Sequence, residues 1–110
     1  MTLSEDIQRE LDRAQRALAE GNDGMARVCA RRAVGAAIRE WAAQGSRPPE
    51  WANARNAVTQ LRALAAADSF PRSVRDSAAR LSTTVDRDHK LPFTQSPLDD
   101  AALIIRHFLR

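Results

Sequence analysis

Three side chains in this sequence could move a proton or attack a substrate near neutral pH: His89, His107 and Cys29. Histidine serves as acid or base because its ordinary pKa lies near about 6.5. His89 stands in the stretch Asp86-Arg87-Asp88-His89-Lys90. Two carboxylates and an imidazole that close together are ligand types for a divalent metal. No second cluster of Cys, His, Asp or Glu completes a ligand set, and the alternating charges equally suit a solvated loop, so no metal is expected. His107, between Arg106 and Phe108, belongs on a surface or an interface. Cys29 has Val28 and Ala30 beside it and no histidine nearby. A thiol nucleophile needs a base and a lowered pKa; without them it reads as a small apolar residue. Phosphate-binding glycine loops, nucleophile elbows, zinc-protease helices and calcium loops are all missing from the sequence. No catalytic residue is assigned and no cofactor is expected.

Arginine carries the clearest hint of binding. The 110 residues include 16 Arg, one lysine (Lys90) and 21 Ala, with a net charge of +3. Arg27, Arg31, Arg32 and Arg39 fall within one stretch. Residues 21–47 hold five Arg against Asp23 and Glu40, a local +3; the first 20 residues hold five acids against three Arg, a local −2. Two arrangements follow. The arginines pair with those acids, each surface pair contributing at most about 1 kcal/mol. Alternatively they face outward on adjacent turns and grip a phosphate of a nucleotide or an RNA. A net +3 is well short of the dense positive patch of a general nucleic-acid binder, and a GC-rich genome alone would supply Arg and Ala codons.

The elements that must position these residues are helical. Alanine and arginine are strong helix formers, and strand formers are sparse. Thr2 and Glu5 make a capping box that starts a helix near Leu3, with Ile7, Leu11, Ala14 and Leu18 as its apolar stripe. Glu5–Arg9 and Asp12–Arg16 are spaced to pair along it. Gly21 stops it, and Asp23 caps a second helix to about Gln44 with the seam Ala26, Ala30, Ala33/Val34, Ala37 and Trp41. So short a turn makes the two an antiparallel hairpin. A third helix is expected from Pro49 to about Asp68, with Trp51, Ala54, Val58, Leu61 and Ala65 inward and Leu64 widening the face. A fourth opens at Pro71 with Val74, Ala78, Leu81 and Val85 inward. Residues 86–95 show no period, and Leu91-Pro92-Phe93 either pins this loop to the bundle or rims a groove. Ser96 caps a last helix with Leu98, Ala102, Ile105 and Leu109 inward and a second apolar edge at Ile104 and Phe108. That second edge belongs to the core or to a second copy of the chain. Trp41 and Trp51, flanking the Gly45–Pro49 break, either cover an end of the bundle or form a partner hot spot.

The segment Ala14-x-x-Ala17-Leu18-Ala19-Glu20-Gly21-Asn22-Asp23-Gly24-Met25-Ala26-Arg27-Val28-Cys29-Ala30-Arg31-Arg32-Ala33, followed by Ala36-Ala37-Ile38, resembles the first two helices of HEPN-type bundles. The likeness extends loosely to Ser96-Pro97-Leu98-Asp99-Asp100-Ala101-Ala102 and covers about half of the chain. It implies a small up-and-down bundle, commonly dimeric. Members that cut RNA carry an Arg, four to six residues, then a His. Here those positions are Thr84, Thr83 and Ser82 before His89, and Ala102, Ala101 and Asp100 before His107. The resemblance therefore implies a non-nuclease member, a binding or dimerisation module, with a nucleotidyltransferase-type protein as one conceivable partner.

The expectation is one all-α domain over residues 1–110, an up-and-down bundle of about five helices. A single Cys allows no internal disulfide, and neither a signal peptide nor a membrane-length apolar run is seen, so a cytoplasmic, membrane-independent protein is expected. Its expected function is non-catalytic association, as a homodimer through Ile104, Phe108, Trp41 and Trp51. The alternative is nucleotide or RNA binding through Arg27, Arg31, Arg32 and Arg39.

Overall fold

A computed structural model describes residues 3–45, 47–83 and 95–109. Thr2, Val85, the His89 stretch and Leu91-Pro92-Phe93 lie outside the described residues. The chain is all-α: α1 (Glu5–Ala19), α2 (Asp23–Gln44), a 3-10 turn (Glu50–Asn53), α3 (Ala57–Ala65), α4 (Arg72–Ser82) and α5 (Pro97–Phe108).

The α1–α2 hairpin is built by its turn. Gly21 takes φ +76°, a conformation that costs glycine nothing. Its N–H donates to the Leu18 carbonyl and the Asn22 N–H to the Ala17 carbonyl, at 3.0 and 2.8 Å, which closes the end of α1 as a Schellman motif. The Asn22 side chain then accepts the Met25 N–H at 3.1 Å and caps α2. One residue so ends one helix and starts the next. The expected caps each shift by a position or two: Ser4 caps α1 and Asn22, not Asp23, caps α2.

Helix α2 is the spine and packs against α1, α3, α4 and α5. Its buried residues, Ala26, Ala30, Ala33, Val34, Ala37, Ile38 and Ala42 among them, wrap more than one face, as a helix surrounded by partners requires. Alanine on several sides lets neighbouring helix backbones come close. Large side chains from the other elements fill the space between: Ile7, Leu61, Leu64, Leu81 and Ile104 are fully buried, each stabilising the fold by roughly 1.5–3 kcal/mol.

Two expected helices come out differently. The third splits into the Glu50–Asn53 turn and α3, because Asn56 turns its carboxamide onto the Val58 N–H at 2.8 Å and so starts a new helix at Ala57, well past the expected start at Pro49. The inward face of α5 is also rotated. Asp100, Ala101, Ile104, Ile105 and Phe108 are buried and Ala102 is exposed. Asp100, Ile104 and Phe108 recur every four residues on one face, and the buried Asp100 has a half-buried partner. Arg80 Nη2 and Nε lie 2.9 and 3.1 Å from its Oδ1, which fixes the rotation of α5 against α4.

The second apolar edge at Ile104 and Phe108 is therefore core within one chain, 0% and 8% exposed. Trp41 and Trp51, both half-buried, close one end of the bundle around Phe70. Trp41 meets Phe108 edge-on at 4.8 Å between ring centres, and Trp51 meets Phe70 at 6.0 Å. His107 joins them at 5.7 Å from Phe70. Met25 is the one strongly exposed large apolar side chain among the described residues. No described helix is long and apolar enough to cross a membrane.

Candidate anion-binding groove

The four arginines of α2 divide into two pairs. Arg27 and Arg31, one turn apart, point at the C-terminus of α4. Arg27 Nη2 donates to the carbonyl oxygens of Arg80, Leu81 and Thr83 at 2.7, 3.2 and 2.9 Å. Arg31 donates from Nε to the Leu81 carbonyl at 2.7 Å and from Nη2 to the Thr83 carbonyl at 2.9 Å. The last carbonyls of a helix lack intrahelical partners and carry the negative end of its dipole, so two guanidiniums neutralise that end from another helix. Arg27 is almost fully buried. Burial, then repulsion from Arg31, lowers its pKa against a smaller opposing pull from Asp100.

Arg32 and Arg39 face the other way, into a groove of about 440 Å³ lined by Val28, Arg31, Arg32, Gly35 and Arg39 from α2 and by Arg55, Asn56, Ala57 and Val58 from the start of α3. Every charged side chain in that lining is an arginine. Arg32, Arg39 and Arg55 make no hydrogen bond and no ion pair among the described residues. Arg31 contributes to both features, since its Nη1 edge is not used on α4. Its pKa is lowered by burial and then by the nearby Arg62, with no carboxylate offsetting either. The groove is thus a pocket of uncompensated positive potential.

The expected pairing of these arginines with the acids of α1 is not what forms. The described ion pairs of α1 run along its own surface, Asp6–Arg9 and Glu10–Arg13, both at 3.4 Å and one turn apart. The spaced pairs Glu5–Arg9 and Asp12–Arg16 are replaced by these, and Asp12 instead accepts from Gln8 at 3.0 Å. α1 turns Ile7, Ala14 and Ala17 toward the interior. Glu10 sits near Cys29 of α2 and Glu20 lines a shallow pocket with Arg32, but neither makes an ion pair with an α2 arginine among the described residues.

The groove floor depends on Gly35. A Cβ there would lie 2.8 Å from Gln60 Oε1, 3.4 Å from Ala57 Cβ and 3.4 Å from Arg39 Nη1. The bare backbone lets α3 seat beside α2 and lets the Arg39 guanidinium fold back over it. Gln60 is fully buried and donates to the Ala52 carbonyl at 2.9 Å, while its Oε1 has no partner. At the groove wall the first turn of α3 adds backbone N–H groups, which a helix N-terminus leaves without intrahelical acceptors.

Arg55, Asn56 and Gly35 were not singled out from the sequence. The available signals were an Arg-Asn pair directly before a helix and a lone Gly inside an alanine-rich one, which marks close approach. Cys29 is buried and its thiol pKa is raised, by burial first and by the Glu10 charge second, the opposite of an activated nucleophile. No group of three His, Cys, Asp or Glu side chains among the described residues could hold a metal ion. No family model matches the chain, and no curated protein or solved structure matches it significantly.

Proposed function

We propose that this protein is a non-catalytic helical module that binds phosphate-bearing ligands, of the nucleotide or nucleic-acid class, in the groove between α2 and α3. The observation that carries this is the trio Arg32, Arg39 and Arg55, turned into one groove with no carboxylate in its lining and no ion pair of their own. Guanidinium groups recognise phosphate through charge-assisted hydrogen bonds, and among the described residues no carboxylate forms an ion pair with these three. Homodimerisation is the weaker reading, because Ile104 and Phe108 are spent in the core and both tryptophans pack on Phe70 and Phe108. A non-nuclease HEPN-like bundle acting in the cytoplasm accords with the groove reading and requires no catalytic residue. The test is fluorescence anisotropy with a labelled RNA 20-mer at 50 mM salt. Binding that is lost in the Arg32→Ala/Arg39→Ala/Arg55→Ala variant supports the proposal; no binding by the wild type at that salt removes it.

A further inference from the structure

If the groove holds phosphate, its chemistry limits what else it can read. Its side chains offer almost only donors: four guanidiniums and the Asn56 amide NH2. The one side-chain acceptor in the lining, Asn56 Oδ1, gives one of its two lone pairs to the Val58 N–H at 2.8 Å, which leaves a single acceptor site against many donors. There is no Asp, Glu, Ser or Thr to accept from a base amino group or a ribose hydroxyl. Nor is there an aromatic ring to stack a base on. Trp41, Trp51, Phe70 and Phe108 are gathered in the cluster that closes the bundle end, and none of them lines the groove. Its apolar residues, Val28, Ala57 and Val58, are too small to act as a stacking platform.

We infer that the groove binds the phosphate backbone of a single nucleic-acid strand and is indifferent to its bases and to its sugar. This rests on the phosphate reading above and specifies its ligand. A concave groove suits a strand lying in it, whereas base-edge recognition needs matched donors and acceptors. Affinity then comes from counterion release, in proportion to the number of phosphates neutralised.

The experiment measures binding of equal-length labelled oligo(rA), oligo(rU), oligo(rC) and oligo(dT), with inorganic polyphosphate as competitor, across a salt series. The expected result is four affinities within about threefold of one another and displacement of every strand by polyphosphate. The salt slope should lie near −2 to −3, at about 0.7 per phosphate for a single strand. Arg32→Ala, Arg39→Ala and Arg55→Ala should each weaken all four strands by the same factor and flatten the slope by about 0.7. Arg106→Ala, an equal charge change on α5, should leave them unchanged. A preference above tenfold for one base, or for ribose over deoxyribose, that the groove variants abolish overturns this inference but leaves phosphate binding standing. Equal losses in Arg106→Ala overturn it as diffuse attraction. Absence of binding to every strand removes the phosphate reading itself.

Discussion

Arg31 donates through Nε to the Leu81 carbonyl at 2.7 Å while its other edge lines the groove with Arg32 and Arg39. One guanidinium so joins the end of α4 to the candidate binding surface. Arg27, a turn earlier, turns its Nη2 onto the end of α4 and does not line the groove. Neighbouring arginines of one helix thereby have different duties, which leads to separable mutational effects.

Arg27→Ala should cost stability and leave ligand binding intact. It removes donors from the carbonyls of Arg80, Leu81 and Thr83, and charged hydrogen bonds contribute roughly 1.5–3 kcal/mol each at most. Sharing among three acceptors on one Nη2 makes a total of about 2–3 kcal/mol reasonable. Urea unfolding monitored by circular dichroism measures it. Arg27→Lys should recover less than half, because an ammonium on a different stem cannot reach the same fork of carbonyls.

Asp100→Asn should destabilise by roughly 2–4 kcal/mol, because it strands Arg80 against a half-neutral site and unpins α5. The Asp100 side chain is 4% exposed and Arg80 27%, so solvent relieves part of the cost on the Arg side. For a domain of this length each kcal/mol corresponds to about 4 °C in Tm, which differential scanning calorimetry resolves. A loss under 1 kcal/mol would mean the pair does not orient α5.

Gly35→Ala sets two effects against each other. Alanine in a helix interior is favoured by about 1 kcal/mol, but the new Cβ would stand 2.8 Å from the buried Gln60 Oε1. Because Gln60 is held by the Ala52 carbonyl, the clash should win and the net change should be a loss of about 1 kcal/mol. In a Gln60→Ala background the same substitution should become neutral or stabilising, which a double-mutant cycle reads directly.

Cys29 predicts a pH effect. Its pKa is raised in the folded chain by burial and by Glu10, so folding favours the neutral thiol. That contribution is whole below the ordinary thiol pKa of about 8.5 and is lost as pH rises through the higher folded value. Stability should therefore fall on the alkaline side, less steeply in Cys29→Ala. In the native protein the thiol should resist alkylation at pH 8, and rapid labelling there would contradict the burial seen here.

The groove variants should not unfold the protein. Arg32, Arg39 and Arg55 carry like charge and make no ion pair among the described residues, so replacing them by alanine should change stability by less than about 0.5 kcal/mol. Inorganic phosphate at tens of millimolar should raise Tm in the wild type more than in the triple variant, since only a native site binds it.

Helix identity and the hairpin were legible in the residues themselves. Alanine content, the Gly21-Asn22 turn and the three- and four-residue spacing of Ala14 and Ala17 and of Val74, Ala78 and Leu81 are local properties, and local chemistry fixes them. The first two caps moved by a residue or two because Ser4 and Asn22 compete with equally suitable neighbours, and Asn56 started α3 well past Pro49. Which way each arginine turns was not legible. Arg27 and Arg32 have the same side chain on the same helix, and only the arrival of the α4 terminus beside one and the α3 terminus beside the other separates them. The same holds for α5: its pattern allowed two inward faces, and a partner 20 residues away, Arg80 for Asp100, chose between them. Spacing along a helix settles which residues share a face; what that face meets is set by elements distant in the chain, and this is where the binding groove is decided.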